Sequence, residues 1–148
     1  MIEGIENQTF PSKVDRWLAL TVAGGLAAMW LAPVRRIWAG RPIDALDVIF
    51  PLLATAFIVW VFRATYYVIT ADALIVRAGP IRRTVPLHAV QRLRATHNPL
   101  SSPALSLDRI EVTYGSRKIL VSPDDKRGFV SALRKRAPAV VLEGLSGI

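Results

Sequence analysis

Residues 65–79 read TYYVITADALIVRAG. Ahead of this stretch, apolar residues follow one another almost without interruption. From Thr65 onward they fall on alternate positions, the spacing of a strand with one face buried. The segment predicts a strand, a tight turn at Ala71-Asp72 and a second strand. Thr65 therefore marks the boundary between two kinds of structure.

The alternation continues downstream. In GPIRRTVPL (79–87), Gly79-Pro80 predicts the next turn and sets Ile81, Arg83 and Val85 against Arg82 and Thr84. In AVQRLRATH (89–97), Leu93 and Ala95 share one face and Arg92 and Arg94 the other. LDRIEVTYG (107–115) predicts Ile110, Val112 and Tyr114 inward and Arg109, Glu111 and Thr113 outward. After a turn at Gly115-Ser116, Ile119 and Val121 face inward. Meandering strands with short turns imply an antiparallel sheet that curls on itself into a partly open barrel. Ser122-Pro123-Asp124-Asp125 is expected to open a helix, with serine as cap and proline in the first turn. Phe129, Leu133, Val130 and Ala137 form its apolar stripe, and Arg134, Lys135 and Arg136 suit the negative end of its dipole. Pro138 ends the helix, which caps the curled sheet, and 138–148 are left as a loose C-terminal tail.

Upstream, WLALTVAGGLAAMWLAPV (17–34) holds 18 residues without a charge. At about 1.5 Å per residue it reaches roughly 27 Å, close to the hydrocarbon thickness of a bilayer. Trp17 and Trp30 lie towards its ends, Lys13/Arg16 and Arg35/Arg36 bracket it, and Pro33 is expected to stop it. VIFPLLATAFIVWVF (48–62), lengthened by residues 43–47, gives a second span that Arg63 closes. Asp44 and Asp47 then lie at headgroup level, and Pro51 in the first turns. Two such runs seldom belong to a soluble core, and a second span argues against a cleaved leader. The prediction is a transmembrane α-helical hairpin, about 17–34 and 43–63, behind an N-terminal tail, 1–16. Ala19, Ala23 and Ala27, like Gly24 and Ala28, recur at a spacing that lets helices approach closely.

Charge is divided in the same way. Residues 1–62 hold five basic and five acidic residues, and residues 63–148 hold 14 and 6, so the whole net charge of +8 lies in the strand-forming half. A basic half behind an apolar one suits an anionic leaflet or another polyanion. More cations flank the terminal side of the hairpin than its loop, which predicts a multi-pass protein of the cell membrane with both termini and the β domain in the cytoplasm. The chain has no cysteine, which removes disulfides and thiolate metal sites.

THNPLSSPALSLDRIEVTYG (96–115) raises the question of chemistry. A hydrolase built on His97, Ser101 or Ser102 and Asp108 needs a supported nucleophile turn and an oxyanion hole, and no G-x-S-x-G is present. Asn98, Ser101 and Ser102 are instead expected to satisfy loop backbone groups, with Pro99 and Pro103 stiffening the loop. Asp108 is expected to pair with Arg109 or with an arginine of a neighbouring strand. His88, His97 and Asp108 lack metal-ligand spacing, and no phosphate-binding glycine motif occurs. No catalytic residue, cofactor or metal is predicted. Arg77, Arg82, Arg83, Arg92, Arg94, Arg117 and Lys118 are the candidate contacts to anionic lipid or to a protein partner, self-association included. Nucleic acid is the competing polyanion, but the interleaved aromatic platform it needs is missing.

Strands in sequence and one closing amphipathic helix is the order of a pleckstrin-homology (PH) domain. YYVITADALIVRAGPIRRTVPLHAVQRL, then HNPLSSPALSLDRIEVTYG, ILVSPDD and FVSAL, resembles the bacterial PH-domain family of small membrane proteins, the YyaB-like group, over about residues 65–137. Asn98, Pro99, Leu100, Ser101, Ser102, Pro103, Asp108 and Arg109 belong to its most specific run. The resemblance implies a PH-like domain behind helical spans and a non-enzymatic binding role at the membrane. PH domains that read phosphoinositides carry cations around the first hairpin. Here that tip is Thr70-Ala71-Asp72-Ala73, without a cation.

Overall fold

The computed structural model describes residues 7–97 and 106–145. A short strand, β1 (Gln8–Pro11), precedes two helices, α1 (Arg16–Trp38) and α2 (Ala45–Arg63). Then come β2 (Thr65–Ile69), β3 (Ala73–Ala78), β4 (Ile81–Pro86), a single 3-10 turn (Leu87–Ala89), β5 (Val90–Thr96), β6 (Arg109–Tyr114), β7 (Arg117–Val121), α3 (Lys126–Arg136) and β8 (Val141–Glu143). The change of period at Thr65 is thus a change of element, with Ala64 alone between helix and strand.

The helices are long and apolar enough to cross a membrane. They are antiparallel neighbours, with Trp30 Nε1 donating to Thr55 Oγ1 at 3.2 Å. At their connection Arg36 pairs with Asp47 at 2.6 Å, and Asp47 also accepts from the Asp44 amide at 3.1 Å. Pro33 does not stop α1, which continues to Trp38. Pro33 is the buried residue of α1 and Pro51 that of α2. A proline removes one backbone bond, and packing of the flanking turns carries the helix past it. Elsewhere the pair leaves its apolar side chains open, among them Trp17, Leu20, Leu31, Leu46, Phe50 and Leu53.

Hydrogen bonding groups the strands into two four-stranded sheets, ordered β1-β2-β3-β4 and β7-β6-β5-β8. Every pair is antiparallel except β5 with β8. Tyr67, Ile69, Leu74, Val76 and Val85 from the first sheet share one core with Leu93, Ile110, Val112, Ile119 and Val121 from the second. Phe129 and Leu133 of α3 complete it, with Phe129 edge-on to Phe10 at 5.5 Å and to Tyr67 at 6.2 Å. Full burial of each such side chain contributes about 1.5–3 kcal/mol.

Several expectations need correction. The cap of α3 is Asp125, whose carboxylate accepts from the Gly128 amide at 2.9 Å. Ser122 is buried, its amide committed to the Tyr67 hydroxyl at 3.0 Å. Neither end is a bare tail. Residues 8–11 pair with β2, and residues 141–143 pair with β5. After β8, Gly144 (φ +66°) turns Leu145 into the core, 1% exposed. Strands this short owe their order to a partner strand, which periodicity over three or four residues does not reveal. Finally, of Ile81, Arg83 and Val85 only Val85 is buried, because the start of β4 projects past the core towards α2.

Candidate functional site

Both helices leave the domain at the same end. The N-terminal segment holds that end through side chains. Asp15 accepts from the Ser106 hydroxyl at 2.6 Å and from the Leu107 amide at 2.8 Å. These two bonds, the hydroxyl's first, hold the Asp15 carboxyl below its usual range. Lys13 pairs with Asp108 at 3.1 Å, and Lys126 at the start of α3 takes the other oxygen of the same carboxylate. Burial raises the Asp108 pKa, but the hydrogen bonds and charges of the two lysines outweigh it, so the net shift is downward. Beneath them Ser12 Oγ lies 3.2 Å from the Tyr67 hydroxyl and 3.3 Å from Ser122 Oγ.

This joint absorbs residues that had suggested chemistry. Asp108 pairs with neither Arg109 nor a strand arginine; it fastens the N-terminal segment to α3. Arg109, expected outward, is 7% exposed and donates from Nε to the Ser106 carbonyl at 2.6 Å. Its place at the start of β6, under the preceding loop, overrides strand parity. His97 is exposed. Asn98, Pro99, Leu100, Ser101, Ser102 and Pro103 lie outside the described residues. No cluster of three metal-ligating side chains occurs among the described residues. Lys13, Asp15, Ser106 and Lys126 escaped sequence reasoning, since nothing in the sequence links Lys13 and Asp15 to positions more than ninety residues on, or announces that Lys126 reaches Asp108.

The seven candidate cations are all exposed and separate into two groups. On the second sheet Arg94 lies opposite Glu111 in register, Lys118 pairs with Glu111 at 3.0 Å and Arg92 with Glu143 at 3.1 Å. Arg117 opens β7, opposite Tyr114 in register and at the other end of the strand from Ser122. Acids therefore accompany most of this group.

The first sheet differs. Register sets Tyr66, Arg77 and Arg82 side by side across β2, β3 and β4. Arg77 Nη1 donates to the Tyr66 hydroxyl at 3.1 Å, with the guanidinium 5.8 Å from the ring centre. Arg82 stands directly opposite Arg77, and Arg83 follows it. None of the three has an ion pair to a described acid. This row lies at the helix end of the domain, because β2 starts one residue after α2. The opposite end holds the Thr70–Ala73 tip, where the Thr70 hydroxyl accepts from the Ala73 amide at 3.1 Å.

Tyr67 and Phe129 are buried in the core, where no nucleic-acid base could stack on them. No curated protein and no solved structure matches the chain. Residues 65–137 match the family model described as Bacterial PH domain. They run from the first strand after the helices to the residue after α3, and β1 and β8 add a strand to each sheet from outside them. Residues 65–137 are a bacterial PH domain.

Proposed function

We propose that the protein is a non-enzymatic, membrane-anchored binding module. In this reading α1 and α2 form a two-span hairpin that holds the PH domain against the cytoplasmic face of the cell membrane, with both ends of the chain on that side. The exposure of apolar side chains around both helices carries the proposal. A helix apolar on all sides requires a neighbour other than water. The direct joints at Ala64 and Asp15 keep the domain at the surface of whatever solvates the helices. Anionic headgroups meet the cations near α2, each adding about 1 kcal/mol of attraction within a Debye length of the leaflet. The remaining surface serves protein contacts, as PH domains generally do in binding roles.

The chain has no cysteine, so single cysteines report topology cleanly. In intact cells a membrane-impermeant maleimide should label Ala39→Cys at the helix connection and spare Ser116→Cys in the β6–β7 turn. Both should label after lysis. Recovery of the protein in the soluble fraction, or equal labelling of the two sites in intact cells, would overturn the proposal.

A further inference from the structure

We propose that the β3–β4 hairpin tip is a third membrane contact. Its Pro80 and Ile81 enter the headgroup layer, and Arg77 and Arg82 take lipid phosphate between them. The inference rests on the membrane anchoring proposed above and goes beyond it, because the helices alone would hold the domain near the bilayer without inserting any part of it.

Three observations converge on this tip. The first is its level. The Gly79 amide donates to the Ala64 carbonyl at 3.2 Å, and a carbon added to Gly79 would stand 3.2 Å from Val61 Cγ2. Val61 is in the last turn of α2, so the tip lies alongside helix that crosses the interface. Glycine at this position (φ +55°) lets the backbone come that close. The second is Ile81. It has the parity of the buried Val85 and yet is 55% exposed, with Pro80 beside it also open to solvent. An apolar pair at the tip of a hairpin, level with the end of a span, matches the interfacial layer in polarity.

The third observation is charge. Like charges directly opposite across an antiparallel pair repel, and Arg77 and Arg82 occupy such positions without a described acid to offset them. A guanidinium presents a planar fork that fits phosphate oxygens, and two forks side by side fit one phosphate diester. Tyr66 limits the swing of Arg77 from the other side. The occupant that satisfies apolar tip and paired cations together is an anionic lipid leaflet. A soluble anion leaves Ile81 bare, and an apolar protein groove leaves the arginines unmatched.

The test uses full-length protein in vesicles, with an environment-sensitive fluorophore on single cysteines at Leu53, Ile81 or Ser116. In vesicles containing phosphatidylglycerol, the labels at Leu53 and Ile81 should emit blue-shifted and be quenched by a lipid-borne quencher, while the label at Ser116 reports water. In phosphatidylcholine alone, or with Arg77→Ala and Arg82→Ala together, the Ile81 signal should shift towards the aqueous value and the Leu53 signal should not. A water-like label at Ile81 with Leu53 still immersed overturns this proposal and leaves the anchoring intact. A water-like label at Leu53 overturns both. Immersion of Ile81 that ignores lipid charge and both arginines also overturns it, since depth then follows from α2 alone. So does a blue shift that the lipid-borne quencher cannot reach, which would mean a protein surface covers the tip.

Discussion

The two sheets carry cations of the same type at similar strand positions, and their surroundings make them different groups. On the second sheet Glu111 and Glu143 sit among Arg92, Arg94 and Lys118, so each of these three cations has an acid beside it. On the first sheet Arg77 and Arg82 face each other and the nearest partner is a phenol. A matched cation contributes to the sheet, whereas an unmatched pair works against it and leaves its attraction for something outside. Counting arginines on a face therefore overstates a binding surface; the acids opposite them decide how much of it is available.

That contrast can be broken or sharpened by substitution. The largest effect concerns what the sheets share: Phe129→Ala should remove about 3–5 kcal/mol from domain stability and lower both sheets in one thermal transition. Two separate transitions would mean that the sheets do not depend on a common core. Gly79→Val should cost the first sheet about 1–2 kcal/mol through its positive φ, with further loss as Val61 is displaced. Hydrogen exchange should report it in β3 and β4 before β6 and β7.

Asp108→Asn should cost about 1 kcal/mol, the scale of a partly exposed pair. It should also flatten the acid limb of the stability profile. Asp108 and Asp15 have lowered pKa values when folded, so their contribution is complete above the unfolded carboxylate value. It is lost as pH falls through the folded ones, below about pH 4. A variant as acid-sensitive as the parent would remove Asp108 from the joint. The smallest effects have opposite signs. Glu143→Gln should destabilise by about 0.5 kcal/mol by freeing Arg92. Arg82→Glu should stabilise by about 0.2–1 kcal/mol by giving Arg77 an opposite charge across the strands. Equal signs in paired melts would erase the distinction between the sheets.

What the sequence disclosed follows the range of each signal. Period two from Thr65, the uncharged runs before it and the turns at Gly79 and Gly115 are local features, and all are present in the structure. The inward residues of β6 and β7 follow from alternation alone. The two groups of cations were not separable in advance, because their neighbours are set by register: nothing in IRRTVP announces that Arg82 meets Arg77 while Arg94 meets Glu111. The joint was equally hidden. Asp15 and Ser106, or Lys13 and Asp108, meet only because the chain leaves through one helix and returns through another. Ile81 has the alternation of a core residue, and only its position beyond the last layer of the core exposes it.

The passage from α2 to β2 occupies a single residue, Ala64, whose amide still bonds to the Trp60 carbonyl. Such a splice has no slack. Each added residue would turn the helix by about 100° and reverse which side chains of the following strand look inward, so its length is fixed as strictly as any core contact. Any change in the slope of α2 must swing the attached β-structure through the same angle, as an oar turns its blade.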